Sequence, residues 1–190
     1  HIYQLLKRLN KNEWEVILCT SRDGSYWGKF KSIGVKTYNL SLRILSPNTA
    51  YKLFMILRKE KPDLIHTHGK GPGLYGRIIS RFLKIPAVHT FHGFHYKDIP
   101  VLTRWLHLIV ENFLSLLTNQ HIFVSTGEKE SARVLKFLGN ENSTVINNGV
   151  DYEHIRNIPI SRSEALKLCN SENWESNKIL GTISRLSPEK

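Results

Sequence analysis

Polar and glycine residues directly follow four apolar runs of this chain, where they could take part in binding or catalysis. These pairs are His68-Gly69, His92-Gly93, Ser125-Thr126 and Asn148-Gly149. Each run is short and rich in β-branched residues, which predicts a buried strand. Ligands of doubly wound parallel sheets bind beyond the carboxyl ends of the strands. The four corners therefore predict one cleft at that edge of a sheet.

The end of the chain carries two cations at a further strand-to-helix corner. The pattern of residues 178–183 predicts a strand, and Arg185 and Lys190 follow it, five residues apart. Two cations and the free N–H groups at a helix start can grip a diphosphate. A basic surface turn would have the same spacing, and the spacing alone favours that simpler interpretation.

His92 stands between Phe91 and Gly93 at a predicted strand end. Its imidazole would emerge where glycine lets a ligand approach the backbone closely. The ring could there hydrogen-bond a sugar hydroxyl or a phosphate oxygen. A structural histidine that satisfies a buried carbonyl is the alternative.

Several of the nine histidines lie near these strands and suggest a metal site: His66, His68, His89, His92 and His95. His66 and His68 are two residues apart in a strand and therefore share one of its faces. No carboxylate motif has the spacing typical of metalloproteases or zinc sites. The sequence therefore predicts no metal and no cofactor.

Three other catalytic patterns are not matched. The glycines around Lys70 do not fit GxGxxG with a later acidic residue, and no GxxxxGK[ST] occurs. Both findings argue against hydride transfer and nucleotide hydrolysis. Ser125 lies in Val-Ser-Thr-Gly-Glu rather than in the GxSxG of hydrolases, so we expect it to cap the following helix.

Strand and helix patterns alternate, which predicts an α/β fold with one doubly wound parallel sheet covered on both faces. Such a domain normally begins with a strand, whereas residues 1–9 have a helical pattern. We expect a Rossmann-like domain over 1–157 that lacks its first strand, a linker with a short helix over 158–177, and a truncated second domain over 178–190. The predicted strands are 15–20, 35–40, 63–67, 85–91, 120–124 and 144–146, and the predicted later helices are 50–60, 74–83, 101–117, 125–138 and 163–168.

The formal net charge of +11 favours anionic partners. The basic residues are scattered and no aromatic stacking platform accompanies them, so we expect no nucleic acid partner.

Cys19 and Cys169 are far apart, which predicts no disulfide framework and a reducing cytoplasm. We see no signal peptide, and the most apolar stretch, 101–117, is too short and too polar to cross a membrane.

Five ordered motifs resemble those of family 4 glycosyltransferases. They are Asp-Leu-Ile-His-Thr-His-Gly at 63–69, Thr-Phe-His-Gly at 90–93, Val-Ser at 124–125, Val-Ile-Asn-Asn-Gly-Val-Asp at 145–151 and Ser-Arg-Leu-Ser-Pro-Glu-Lys at 184–190. Each motif is weak alone, but their order and spacing are specific. The resemblance implies a GT-B fold of two Rossmann-like domains, the first binding mainly the acceptor and the second mainly a nucleotide-sugar. It also implies transfer with retention of anomeric configuration.

The resemblance further implies roles for single residues. Arg185 and Lys190 match the family's diphosphate-gripping residues, and His92 matches the histidine near the reacting sugar, which makes it the candidate catalytic residue. Two fixed cations and a helix N-terminus would neutralise the leaving diphosphate without a metal. The acceptor-side cleft would be bordered by His68, Gly69, Gly93, Asn148 and Gly149.

The family's opening strand, its glycine-rich loop and its paired-glutamate motif have no counterpart in this sequence. We therefore expect the chain as given to lack groups needed for efficient turnover. The interpretation is part of a transferase of cell-surface polysaccharide or glycolipid synthesis, cytoplasmic and at the inner membrane face, with a glycan or lipid-linked acceptor. A GT-B sugar-nucleotide epimerase and a non-catalytic anion-binding module or remnant are the alternatives.

Peripheral contact with an anionic membrane is a further hypothesis. Trp105, Leu106, Ile109 and Phe113 could face lipid from a basic domain. The same spacing suits a helix stripe that faces the core, and we favour the core interpretation.

Overall fold

The computed structural model describes residues 1–93, 100–157, 159–174 and 178. The chain divides into two compact units, His1–Asn148 and Gly149–Lys190. The described residues include only the first residue, Lys178, of the strand predicted at 178–183. They do not include the two cations Arg185 and Lys190.

The first unit alternates helices and strands in the predicted order. Its elements are α1 (Ile2–Arg8), β1 (Ile17–Thr20), α2 (Trp27–Ser32), β2 (Lys36–Asn39), α3 (Pro47–Glu60), β3 (Ile65–His68), α4 (Lys70–Leu83), β4 (Ala87–Phe91), α5 (Val101–Ser115), β5 (Gln120–Phe123), α6 (Thr126–Val134), a 3-10 helix at Leu138–Asn140, and β6 (Ser143–Val145). The sequence did not predict α2. That helix has only six residues and buries only Phe30, so it has no readable periodicity.

All strand pairings among the described residues are parallel, but they form two sheets where we expected one. The strand orders are β1-β2 and β3-β4-β5-β6. Within the described ranges no ladder joins β1 to β3, so each of these strands pairs on one side only.

Close packing of α4 against β3 forms the main core of the first unit. A side-chain carbon added at Gly76 would lie 2.3 Å from Cγ2 of Thr67, so only glycine allows this approach. The helix contributes Tyr75 and Ile79 to an apolar cluster that also contains Ile65 of β3. Each fully buried large apolar side chain stabilises the fold by about 1.5–3 kcal/mol. The cluster therefore holds β3 against α4.

Helix α6 begins and ends for identifiable reasons. The Ser125 hydroxyl oxygen accepts a hydrogen bond from the Glu128 N–H at 3.2 Å, which confirms Ser125 as the helix cap. The helix ends at Val134 instead of extending to 138 as predicted. Lys136 has a left-handed backbone (φ 54°), which a continuing helix would not allow.

The outward face of α5 contradicts the favoured core interpretation. The side chains of Trp105, Leu106, Ile109 and Phe113 are exposed, between 57% and 62% of each residue being accessible. The buried residues of α5 are instead Leu108, Glu111, Leu114 and Ser115. The helix carries more apolar residues than one buried stripe requires, so periodicity could not tell which stripe faces the core.

No helix in the described parts of the chain has the length and apolarity that a membrane span needs. Helix α5, the most apolar of the predicted segments, has 15 residues.

The second unit contains short helices. They are α7 (Tyr152–Arg156), which was not predicted, α8 (Arg162–Leu168), which was, and a 3-10 helix at Glu172–Trp174. Ser161 and Glu164 form a capping box at the start of α8. The buried side chain of Leu166 anchors that helix within its unit.

Candidate functional site

A cluster of imidazoles occupies the carboxyl ends of β3 and β4. His68 is the last residue of β3, and His92 directly follows β4. The strand register pairs His68 with Thr90, so the side chains of His66, His68 and Thr90 share one face of the sheet. Nδ1 of His68 and Nε2 of His92 are 2.9 Å apart, a hydrogen-bond distance at which one ring donates and the other accepts.

His1 and His66 enlarge this cluster. His1 stands at the start of α1, and its ring centroid is 5.1 Å from that of His92 and 6.0 Å from that of His68. The ring of His66 lies 4.2 Å from that of His68, centroid to centroid. Nε2 of His66 is also 2.7 Å from Oγ1 of Thr90. Side chains from α1, β3 and β4 therefore meet at one point.

Partial burial favours the neutral form of three imidazoles in this cluster, those of His66, His68 and His92. Burial first, and then His66 and His92, lower the pKa of His68 to about 3. Burial also lowers the pKa values of His66 and His92 below the usual value for histidine. A neutral ring has one N–H to donate and one lone pair to accept, which suits it to hydroxyl and phosphate oxygens.

A buried polar layer lies on the opposite face of β3 and β4. Nδ1 of His89 and Oγ1 of Thr67 are 2.8 Å apart. Nη2 of Arg77 donates to Oε2 of Glu111 at 2.9 Å, and its Nε donates to the Gly73 carbonyl at 2.9 Å. Burial first, and then Arg77, hold the pKa of His89 well below its usual value. This layer ties α4 to α5 directly behind the imidazole cluster.

A hollow of about 180 Å³ joins the cluster to the buried layer. It is lined by Gly69, Lys70, His89, Phe91, His92, Gly93 and Glu111. Gly69 (φ 77°) and Gly93 (φ 129°) have backbone conformations that favour glycine, and they form the two sharp corners of the hollow. An ammonium, a carboxylate and two imidazoles around a small space can hydrogen-bond a polar ligand such as a sugar hydroxyl or a phosphate.

A larger hollow of about 260 Å³ lies at the carboxyl ends of β1 and β2. Its lining includes Cys19, Ser21 and Arg43. Burial, and secondarily Glu60, raise the pKa of the Cys19 thiol to about 11, so this sulfur is no nucleophile at neutral pH. We take the smaller hollow beside His92 as the candidate site, because its lining includes the predicted site residues Gly69, His92 and Gly93.

The sequence profile of Glycosyltransferase Family 4 matches residues 1–154, which is most of the chain. The chain belongs to glycosyltransferase family 4. This membership confirms the resemblance seen in the sequence, and it favours sugar transfer over the epimerase alternative. The family is one of transferases by its name, which also counts against the non-catalytic anion-binding module.

Similarity to individual proteins agrees with the family. Over 121 residues the chain is 34% identical to the UDP-Gal:alpha-D-GlcNAc-diphosphoundecaprenol alpha-1,3-galactosyltransferase of Escherichia coli, covering 60% of this chain and 30% of that enzyme. The crystal structure of Anabaena Alr3699/HepE with UDP has a TM-score of 0.71 at 20% identity, covering 97% of this chain and 49% of that one. A glycosyltransferase of Rickettsia africae has a TM-score of 0.67 at 18% identity, covering 92% and 45%.

These comparisons also define what part of a relative the chain represents. It spans about half the length of the solved structures and less than a third of the Escherichia coli enzyme. At 18–20% identity the solved structures show the fold alone, which is the GT-B type of Rossmann-like α/β domain that the sequence predicted.

The structure brings together some of the predicted site residues of this family 4 chain. His68, Gly69, His92 and Gly93 meet at the imidazole cluster and its hollow. Asn148 is exposed and follows β6, a strand that is separated from β4 by β5 in the sheet. Gly149 belongs to the second unit. Their roles at the cleft stay predictions.

The sequence did not single out three residues that the structure places at the site. His1 belongs to a helix whose place in the fold no motif revealed. Lys70 was noted only for the glycines around it, and Glu111 only as a polar interruption of an apolar stretch. The one signal that could have exposed Glu111 is its charge in an otherwise apolar helix, since buried charges require a partner.

Proposed function

We propose that this chain forms the acceptor side of a glycosyltransferase that moves a sugar from a nucleotide-sugar to a lipid-linked or glycan acceptor. The observation that carries the proposal is the pairing of His68 and His92 beside a polar hollow, in a chain of glycosyltransferase family 4. In this proposal His92 hydrogen-bonds the reacting sugar or its phosphate. His68 and the two glycine corners border the acceptor.

The choice of substrates rests on similar proteins. The Escherichia coli relative transfers galactose from UDP-galactose to a GlcNAc carried on diphosphoundecaprenol, as its name states. Crystal structures of HepE contain UDP-glucose or UDP. We therefore propose a UDP-sugar as the donor and a diphosphate-linked lipid sugar as the acceptor, in cell-surface polysaccharide or glycolipid assembly at the inner face of the membrane.

Charge neutralisation at the donor is proposed to be metal-free. Arg185 and Lys190 would hold the donor diphosphate and stabilise the negative charge that develops on it as the glycosidic bond breaks. Neither cation lies among the described residues, so this role rests on the motif alone. Asn148 and Gly149 are proposed to continue the cleft.

The test of the proposed function uses the full-length transferase and radiolabelled UDP-galactose and UDP-glucose. We expect label to enter the lipid-extractable acceptor GlcNAc-diphosphoundecaprenol, and chelator to leave the rate unchanged. His92→Ala should lower kcat by about 10²–10³-fold, the usual cost of removing one positioned hydrogen-bond donor. The matched variant His107→Ala, on α5 and outside the hollow, should keep the parent rate. Full activity in His92→Ala would refute the role of His92, and no transfer to any lipid acceptor would refute the proposed substrate class.

We further propose that α5 is where this domain touches an anionic membrane. Trp105, Leu106, Ile109 and Phe113 form an exposed apolar face on a chain with a net charge of +11. A basic protein with an exposed apolar helix face binds anionic lipid surfaces by combining burial and charge. A lipid-linked acceptor would bring the enzyme to that surface.

Vesicle sedimentation at low salt tests this contact. The protein should pellet with phosphatidylglycerol vesicles and much less with phosphatidylcholine vesicles. The double variant Trp105→Ser/Ile109→Ser should lose most of this binding. Ile44→Ser, at a residue 76% exposed between β2 and α3, should not. Unchanged pelleting of the double variant would remove α5 as the contact surface.

A further inference from the structure

Three histidines of the cluster are arranged like the ligands of a transition-metal ion. His1, His68 and His92, here named the histidine triad, each offer one ring nitrogen, and these three nitrogens all lie within 4.8 Å of one another. They come from three different elements, the start of α1, the end of β3 and the corner after β4. Side chains from such separate parts of a chain converge only where the fold places them together.

We propose that the histidine triad binds a borderline transition-metal ion such as Zn²⁺, Ni²⁺ or Cu²⁺, and that the bound ion occludes the cleft. The binding depends only on the geometry of the triad. The occlusion rests on the proposed function, because it requires that the donor or acceptor uses His92. The ion is an inhibitor in this proposal, so metal-free transfer is retained.

The distances in the triad suit such an ion after small side-chain rotations. Zinc–nitrogen bonds of about 2.0–2.1 Å in a tetrahedral site place ligand nitrogens about 3.4 Å apart. The distance between the ligand nitrogens of His68 and His92 is 2.9 Å and must increase slightly on metal binding. The longest nitrogen–nitrogen distance in the triad is at most 4.8 Å and must decrease. His1 is exposed and can rotate to make that adjustment.

The hydrogen-bonded rings of His68 and His92 can each present a ligand nitrogen without a proton, as metal binding requires. The hydrogen bond between these two rings requires an N–H on one of the two facing nitrogens. On metal binding that proton moves to the other nitrogen of the same ring, so no net proton is released from the pair.

Ligand type selects the ion. Three imidazoles suit Zn²⁺, Ni²⁺ and Cu²⁺, whereas Mg²⁺ prefers oxygen ligands in octahedral geometry. His1 and His92 are exposed, so solvent can supply the fourth ligand. A three-histidine site with one water is a stable arrangement for zinc. The triad should therefore distinguish zinc from the magnesium that accompanies nucleotides.

The binding test uses chelator-treated chain without a polyhistidine tag, titrated with Co²⁺ and then with Zn²⁺. We expect intense visible absorption typical of four-coordinate Co²⁺, and its loss as Zn²⁺ displaces the cobalt. His68→Ala and His92→Ala should each weaken binding at least about tenfold, while His107→Ala should not. Circular dichroism and thermal unfolding confirm that each variant is folded. Weak absorption typical of six-coordinate cobalt, or equal weakening in His107→Ala, would overturn the site.

The occlusion test uses the full-length transferase. Zn²⁺ should inhibit competitively with the nucleotide-sugar, chelator should restore the rate, and Mg²⁺ should have no effect. The rate of each variant with Zn²⁺ is compared with its own rate without Zn²⁺. His1→Ala should have a higher inhibition constant for Zn²⁺ than the parent enzyme, and His107→Ala should not. If Zn²⁺ binds the triad without inhibiting an active enzyme, occlusion is wrong while the site stands. If the enzyme shows no transfer with or without zinc, the proposed function fails independently of the metal site.

Discussion

Replacing Glu111 with leucine is expected to lower the free energy of unfolding by about 3–5 kcal/mol, the largest single effect we foresee. Arg77 is fully buried, and its Nη2 donates to Oε2 of Glu111 at 2.9 Å. Removing the carboxylate leaves the guanidinium charge in a medium that solvates it poorly. Urea unfolding followed by circular dichroism measures the loss.

A double-mutant cycle separates the ion pair from its surroundings. Arg77→Met should destabilise by a similar amount, because it leaves the carboxylate buried alone. The double variant Arg77→Met/Glu111→Leu should recover much of the loss, since well-packed apolar replacements of a buried pair are often neutral. Additive losses in the double variant would show that the two charges do not depend on each other.

The exposed ion pair between Glu130 and Arg133 provides the matched control. These residues lie three positions apart on α6, with side chains 56% and 69% exposed. Water solvates both charges and screens their attraction, so Glu130→Leu should leave the unfolding midpoint unchanged within error. If Glu111→Leu destabilises the protein and Glu130→Leu does not, the loss of stability is caused by the burial of the Arg77 charge and not by the removal of a carboxylate.

Replacing Gly71 with alanine is expected to cost about 2–3 kcal/mol. A side-chain carbon at Gly71 would lie 2.0 Å from the carbonyl oxygen of Leu42, far inside any tolerated contact. The obstacle is backbone, which cannot rotate away as a flexible side chain would. The first turn of α4 would have to move from the β2–α3 connection, and Gly69 and Lys70 of the candidate hollow would move with it.

Gly28 offers the control for this substitution. It lies in α2, and a side-chain carbon there would meet no heavy atom within 4 Å apart from the neighbouring residues and the backbone of its own helix. Gly28→Ala should therefore stabilise the protein by up to about 1 kcal/mol, because alanine loses less backbone freedom on folding into a helix. Equal destabilisation by both alanines would contradict the close approach of α4 to Leu42.

The alternation of strands and helices, and the corners after the strands, could be predicted from the sequence because both are local. Short β-branched runs predict buried strands, and glycine or a hydroxyl after a strand predicts a turn or a cap. His68, His92 and the Ser125 cap follow from such local patterns. The family resemblance depends on the same corners, since the family's functional residues occupy them.

Only the tertiary structure decided which residues meet across elements. The register of β3 and β4 places His68 on the same face as Thr90 and within reach of His92. His1 joins them from the start of α1, more than 60 residues earlier in the sequence. No spacing rule connects such distant positions. Pairing of this kind is fixed by packing of whole elements, in particular by the glycines that let α4 approach β3.

The orientation of α5 shows the same division. The sequence predicted a helix over 101–117 with abundant apolar residues, but periodicity alone did not decide which apolar stripe is buried. The structure buries the stripe of Leu108 and Leu114 and exposes that of Trp105 and Ile109. The buried ion pair explains this choice, because turning the other stripe inward would leave Glu111 away from Arg77. Local pattern thus sets which elements form, and long-range charge pairing and packing set which side of each element reaches the site.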